Sequence, residues 1–214
     1  MNIQHFTVGP FLEHTYILSD EKTKEAYIID PGGENEKVIS YLRQHELKVK
    51  ALLVTHGHID HVAGAAELQK NLEASLWMSA NDQYLLDMLP KISSYFGFSS
   101  VPIPKIDRSL SHGEKLDFGE VGIQVIATPG HTPGGLCYLI GKDIFVGDTL
   151  FDGSIGRTDL PGGNYDELIQ SIKTKLLTLD ENLIVHCGHG PSTMIRKEKK
   201  TNPFLTHGTN TSFF

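Results

Sequence analysis

Cysteine is scarce: Cys137 and Cys187 are the only two in 214 residues. One pair cannot form a disulfide framework, and no C-x-x-C is present, so free thiols in a reducing compartment are expected, with the cytoplasm as the location. Positive charge is also short, with 19 lysines and arginines against 26 aspartates and glutamates and a formal net charge of −7. No general basic field exists to hold nucleic acid or an anionic membrane through counterion release. The densest charge run, Arg196-Lys197-Glu198-Lys199-Lys200, reads as a solvated helix face. No apolar window approaches the length of a membrane span, and the start Met1-Asn2-Ile3-Gln4-His5-Phe6 lacks the pattern of a secretory leader. Two catalytic spellings are missing too. Asp152-Gly153-Ser154-Ile155-Gly156 fails G-x-S-x-G at its first position, and no H-E-x-x-H occurs.

What is present is enough apolar residue, 39% of the chain, for one domain spanning residues 1–214. Short β-rich runs at 3–8, 15–18 and 26–30 are separated by turn residues. Asp30-Pro31-Gly32-Gly33 ends the third, and Val38, Ile39 and Leu42 then recur at helical spacing within 35–45. The run 51–54 reads as a strand, 62–72 as a helix, and 75–78 as a strand. Asn81 is a candidate cap for the next helix, which Pro90 is expected to close. Residues 101–105, with Pro102 and Pro104, read as an irregular connection that can border a site as a lid. Further strands are expected over 115–118, 121–128, 135–140, 143–146 and 183–186, with a helix over 165–177. This interleaving predicts an α/β (α+β) chain folded as a four-layer αββα sandwich, sheets inside and helices outside.

The most informative stretch is Thr55-His56-Gly57-His58-Ile59-Asp60-His61, directly after the apolar run Ala51-Leu52-Leu53-Val54. Neutral imidazole and ionised carboxylate suit zinc, iron or manganese, and ligands this close share an ion only from a bent backbone, a bend assigned to Gly57. On a helix, His58 and His61 would share a face at i and i+3, and His56 and Asp60 at i and i+4. Four ligands facing different ways suggest two ions.

The same design recurs further along. Val125-Ile126-Ala127-Thr128-Pro129-Gly130-His131 and Leu183-Ile184-Val185-His186-Cys187-Gly188-His189 are apolar strands emptying into a histidine beside glycine, and Ile144-Phe145-Val146-Gly147-Asp148 delivers a carboxylate in like manner. Four strand ends carrying ligand-type side chains imply one shared rim. His189 is preferred over His186, because Gly188 and Gly190 free its backbone while His186 falls within the strand. His5, His14, His45, His112 and His207 lack comparable context, although His14 can reach a pocket rim.

Taken together, H-x-H-x-D-H, His131, Asp148 and His189 resemble the metallo-β-lactamase-fold superfamily. The segments around Asp30-Pro31-Gly32-Gly33, Thr128-Pro129-Gly130-His131, Gly147-Asp148-Thr149, Gly156-Arg157-Thr158-Asp159 and Gly188-His189-Gly190-Pro191 are similar to its glyoxalase II-like (hydroxyacylglutathione hydrolase) branch, in particular the short bacterial form. That resemblance implies the metallo-β-lactamase fold and two divalent metal ions. His56, His58 and His131 would hold one, Asp60, His61 and His189 the other, and Asp148 would bridge them. Zinc is the expected metal, with iron or manganese as alternatives. Full-length members carry a C-terminal helical domain for glutathione; 25 positions follow His189 here, so the expectation is the form without it.

The chemistry expected of such a centre is hydrolysis of a small-molecule thioester of the S-D-lactoylglutathione type by a metal-held hydroxide, with Asp60 orienting the nucleophile or handling its proton. Arg157 is a candidate for a substrate-carboxylate contact or for a salt bridge shaping its loop. Phe151 and Tyr165 are candidates for lining the pocket. The alternatives are a persulfide dioxygenase with a single iron on the three-histidine face, or hydrolysis of a lactone, β-lactam or other ester.

Overall fold

Strand alternation divides the apolar side chains of this chain among three cores, and three cores separate four layers. The computed structural model describes residues 1–206. One sheet runs β1 (Asn2–Val8), β2 (Glu13–Ser19), β3 (Glu25–Ile29), β4 (Lys48–Leu53), β5 (Ser75–Met78) and β6 (Ile106–Ser109), in that spatial order. It is antiparallel as far as β3 and parallel from there on. The second sheet contains β7 (Lys115–Leu116), β8 (Ile123–Ala127), β9 (Leu136–Ile140) and β10 (Asp143–Gly147). After a separate hairpin of β11 (Leu150–Phe151) and β12 (Ser154–Ile155), it is completed by β13 (Ile184–Cys187) and β14 (Thr193–Met194), in the order β14-β13-β10-β9-β8-β7.

Successive strand side chains point to opposite faces, so strands covered on both sides read as nearly continuous apolar runs. Tyr16, Leu18, Tyr27, Ile29, Ala51 and Leu53 meet Val125, Leu136, Tyr138, Ile140 and Phe145 in the core between the sheets. Their neighbours Ile17, Ile28, Leu52 and Val54 face the other way, onto Val38 and Leu42 of α1 (Asn35–Gln44). The same core takes side chains from α2 (Ile59–Val62), α3 (Ala65–Leu72), α4 (Gln83–Asp87) and α5 (Leu89–Tyr95). On the far side, Ile126, Ile144, Val146 and Val185 pack against Leu168 of α6 (Tyr165–Ser171), the π-turn Ile172–Leu176 that continues it, and Ile195 of α7 (Ile195–Thr201). A short α8 (Pro203–Thr206) follows. The result is the mixed α/β sandwich expected from the sequence. Each fully buried Leu or Ile contributes about 1.5–3 kcal/mol, which anchors the strands that carry the site.

Three local expectations are corrected. The helix read over 62–72 is split, because the chain turns at Ala63 and Gly64, where the Asn35 amide donates to the Gly64 carbonyl at 3.0 Å. Asn81 is not a cap: it lies inside a 3₁₀ turn, Ala80–Asp82, and its N–H is received by the Ser79 hydroxyl. Pro90 opens α5 instead of closing a helix, since a first-turn residue needs no intrahelical N–H. Strand β6, largely exposed, carries no apolar run that would mark it in the sequence. His207 lies outside the described residues. Among those residues, no helix is long and apolar enough to cross a membrane.

Candidate metal centre

Strands β4, β8, β10 and β13 end at one rim, and the loops leaving them bring His56, His58, Asp60, His61, His131, Asp148 and His189 together. Helix α2 starts only at Ile59, and His58 precedes it in extended geometry, with ψ 149°. The helical pairings foreseen within 56–61 are therefore not formed. His58 instead swings towards His56 and His131, while Asp60 and His61, in the single turn of α2, face the other way towards His189 and Asp148.

Three ring nitrogens define the first group. His56 Nε2 and His58 Nδ1 are 3.1 Å apart, His131 Nε2 is 3.1 Å from His56 Nε2, and His131 Nε2 is 3.0 Å from His58 Nδ1. Hydrogen bonding on the outer side of the rings decides what these atoms can do. His131 Nδ1 lies 2.7 Å from the Arg157 carbonyl, which only accepts, so the proton is on Nδ1 and Nε2 carries a lone pair. The Thr55 hydroxyl donates to Asp30 Oδ2 at 2.7 Å, which leaves its oxygen to accept from His56 Nδ1 at 3.1 Å and leaves His56 Nε2 bare as well. Two lone pairs thus face each other, and His58 Nδ1 has at most one proton to offer the pair, an arrangement that a cation among the three nitrogens relieves. Nitrogens bound to one zinc at ~2.1 Å stand about 3.0–3.4 Å apart, which matches these spacings. Burial, reinforced by the neighbouring imidazoles, pushes His56 well below the ordinary histidine range; burial and His131 push His58 down to about 4. Both rings are neutral donors at neutral pH.

The second group is built around charge. His61 is fully buried, and its Nδ1 donates to Asp30 Oδ2 at 3.0 Å. Its Nε2 and the facing Asp148 Oδ1, 3.3 Å away, are buried without a geometrically sound hydrogen bond, the kind of pair that a shared cation would satisfy. His189 Nδ1 lies 3.1 Å from the Phe11 carbonyl, and its Nε2 is turned inward, 3.2 Å from Asp60 Oδ2 and 3.6 Å from Asp148 Oδ2. Asp148 sits between the groups, with Oδ2 also 3.7 Å from His131 Nε2. Burial alone would raise the Asp60 and Asp148 carboxyls, yet the adjacent His61 overrides it, and both are held below the usual carboxylate range. His61 is raised in return: burial disfavours its charge, but Asp148, Asp60 and Asp30 outweigh that. A buried site with this much negative charge demands compensating positive charge.

Residues outside the expected set turn out to hold it. Asp30, at φ 51°, takes a left-handed geometry that costs about 1 kcal/mol and accepts from Thr55 N–H at 2.6 Å, Thr55 Oγ1 and His61 Nδ1 together. In the sequence it marks a strand end and belongs to one of the segments that carry the family resemblance, but no ligand-holding role is assigned to it, although a strand-end aspartate is the same signal that points to Asp148. Glu13, with an unpartnered buried Oε1 3.8 Å from His61 Nδ1, is raised well above the carboxylate range by burial. Asp82 accepts from Gly57 N–H, Gly134 N–H and the Thr132 hydroxyl, and nothing in the sequence singled it out. Gly57 itself does not adopt a left-handed φ. It is needed for room, because a Cβ there would lie 3.0 Å from Leu85 Cβ and 3.1 Å from Asp82 Cβ.

The remaining candidates fall around the rim or away from it. The Arg157 guanidinium forms a two-pronged pair with exposed Asp159 at 2.7 Å, and its backbone carbonyl is what reaches His131. His14 Nε2 meets the Gly190 carbonyl at 3.0 Å and braces the loop after His189. His186 pairs with Asp143 at 2.8 Å and stacks on Phe145, outside the cluster. The Phe151 ring is 6.3 Å from that of His189, whereas Tyr165 is exposed at the start of α6. Phe96 and Phe98, in the connection leading to β6, pack on Phe11, whose carbonyl receives His189.

The family model described as the metallo-beta-lactamase superfamily matches residues 8–189. The Haemophilus influenzae protein called hydroxyacylglutathione hydrolase GloC is 41% identical over 96% of this chain and 98% of its own length. Among solved structures, the BLEG-1 B3 metallo-beta-lactamase superposes with a TM-score of 0.88 at 36% identity, covering 96% of this chain and all of that one. TTHA1623, solved in a di-iron-bound form, gives 0.86 at 37% identity, covering 94% of this chain and all of its own.

Proposed function

This chain belongs to the metallo-beta-lactamase superfamily, and from that premise we propose that it is a metal-dependent hydrolase of thioesters of the S-D-lactoylglutathione type. The observation that carries the reading is the convergence of inward-facing imidazole lone pairs on buried carboxylates, in a chain 41% identical to a protein named for that activity. In this reading His56, His58 and His131 hold one divalent ion, Asp60, His61 and His189 hold a second, and Asp148 lies between them with an oxygen towards each group. Bound divalent cations would supply water that ionises near neutral pH and would polarise the scissile carbonyl.

The chain's own residues do the rest. Carbonyls of Arg157 and Phe11 fix the tautomers of His131 and His189, so each presents Nε2 without a reorganisation cost. Asp60, held anionic and 18% exposed on its side chain, is placed to accept a proton or orient a nucleophile at the open side of the site. No acylated protein side chain is required, and the buried thiols of Cys137 and Cys187, raised by burial to about 11 and about 12, are unsuited to serve as nucleophiles. Zinc is the proposed metal; the di-iron form of TTHA1623 makes iron the main competitor.

A panel comprising S-D-lactoylglutathione, simpler thioesters, a β-lactam and glutathione persulfide, run on zinc-, iron- and manganese-loaded protein, tests the reading. Thioester turnover with two ions per chain is expected. One iron per chain with rapid oxygen uptake on the persulfide and no thioester cleavage would replace it with the dioxygenase alternative, and β-lactam turnover alone would replace it with the other hydrolase.

A further inference from the structure

The three imidazoles of the first group come from two separate loops, 55–58 after β4 of one sheet and 128–135 after β8 of the other. Backbone pairing within a single sheet cannot set the distance between them. A backbone bond from Leu136 N–H to the Thr55 carbonyl at 2.8 Å ties the loops where they leave and rejoin the strands, and one side chain grips both of them beside the histidines. Asp82 is fully buried in the turn after β5; its Oδ2 accepts from Gly57 N–H at 2.9 Å and from Thr132 Oγ1 at 2.8 Å, and its Oδ1 accepts from Gly134 N–H at 2.7 Å. Gly57 lies between His56 and His58, and Thr132 follows His131, so each loop is gripped beside its ligand-type residues. Glycine geometry makes the same point independently: a Cβ on Gly134 would lie 2.5 Å from Asp82 Cγ, and one on Gly57 would be 3.1 Å from Asp82 Cβ. Both loops are shaped to come up against this carboxylate.

We infer that Asp82 is a positioning residue whose carboxylate sets the spacing of His56, His58 and His131 and so governs cation affinity at that face, while leaving the Asp60, His61 and His189 face to other anchors. The inference rests on the ligand assignment proposed above. Its chemical logic is that an anionic acceptor receiving three donors from two loops fixes them more strongly than a neutral amide can. Replacing it with Asn turns an NH₂ towards an N–H or hydroxyl that needs an acceptor, and replacing it with Ala removes the link.

The test is Zn²⁺ and Co²⁺ titration of the full chain, wild type against Asp82→Asn and Asp82→Ala, following ions bound per chain, competition with a chelator, and the cobalt visible spectrum. Outer-shell partners of metal ligands change affinity by about 10- to 100-fold. One of the two ions is expected to weaken by that amount in Asp82→Asn and further in Asp82→Ala, with the other ion unchanged and the cobalt bands of one site altered. Thr132→Val, which removes a single donor and keeps the carboxylate, is expected to shift the same ion by less and serves if Asp82→Ala does not fold. A purely structural role would lower the melting temperature of chelated protein while leaving both affinities alone, and would overturn the inference. So would equal weakening of both ions. If the wild type binds two ions and Asp82→Asn binds them identically, Asp82 alone is excluded; if the wild type binds none, the metal assignment fails and this inference with it.

Discussion

The two halves of the centre are organised by different forces. At the His56, His58 and His131 face the ligand-type atoms are ring nitrogens, and a cation there is favoured by geometry: three nitrogens at 3.0–3.1 Å, held by carbonyl, hydroxyl and Asp82 contacts behind them. At the Asp60, His61 and His189 face a cation is favoured by charge, because the carboxylates of Asp148, Asp60 and Asp30 converge on buried His61. The difference teaches where each half is vulnerable. Small displacements damage the first, and loss of a carboxylate damages the second.

The sharpest way to break this comparison is at the residue both halves share. Asp148→Asn removes charge between them and is expected to cut turnover by more than about 100-fold, the upper end for outer-shell changes, and to weaken both ions together; loss of only one ion in metal analysis would show that Asp148 is not shared. Asp30→Asn comes next. Because Asp30 reaches His61 directly and His56 through Thr55, both ions are expected to weaken by about 10- to 100-fold, in contrast to the one-sided effect expected of Asp82 variants. A one-sided result for Asp30 would separate the halves more completely than the hydrogen bonds suggest.

Chelation addresses stability. A ligand that binds only the folded state at 100 times its Kd stabilises by about 2.7 kcal/mol, so treatment with a chelator is expected to lower the Tm reversibly and Zn²⁺ to restore it. The smallest effect is expected of Arg157→Ala. Its guanidinium is engaged by Asp159 at the surface and its contact to His131 is a backbone carbonyl, so kcat should be nearly unchanged, and any substrate-carboxylate contact would appear as a rise in KM alone.

Much of this is legible in the sequence. Local patterns identify the apolar runs of β2, β3, β4, β9 and β10, because a strand buried on both faces has to be apolar almost throughout. The recurrence of a strand ending in histidine or aspartate pointed to His56, His131, Asp148 and His189, and the structure places these strand ends on one rim. Less visible were groups that act through the backbone or through long-range contact. The carbonyls of Phe11 and Arg157 leave no residue-type signature, and Asp82 looks like any aspartate in a turn. The sequence casts Gly57 as a bend because glycine permits left-handed φ, whereas the constraint in the fold is the close packing of Leu85 and Asp82 against it.

Residue chemistry and periodicity by themselves determined that this chain forms layered sheets and helices and carries imidazoles and carboxylates suited to divalent cations, since side-chain alternation and ligand type are properties of local sequence. Only tertiary structure decided how those groups divide into two faces, which nitrogen of each ring turns inward, and which buried carboxylates stand behind them. Those outcomes depend on contacts between loops from different sheets, where distance along the chain says nothing about distance in space.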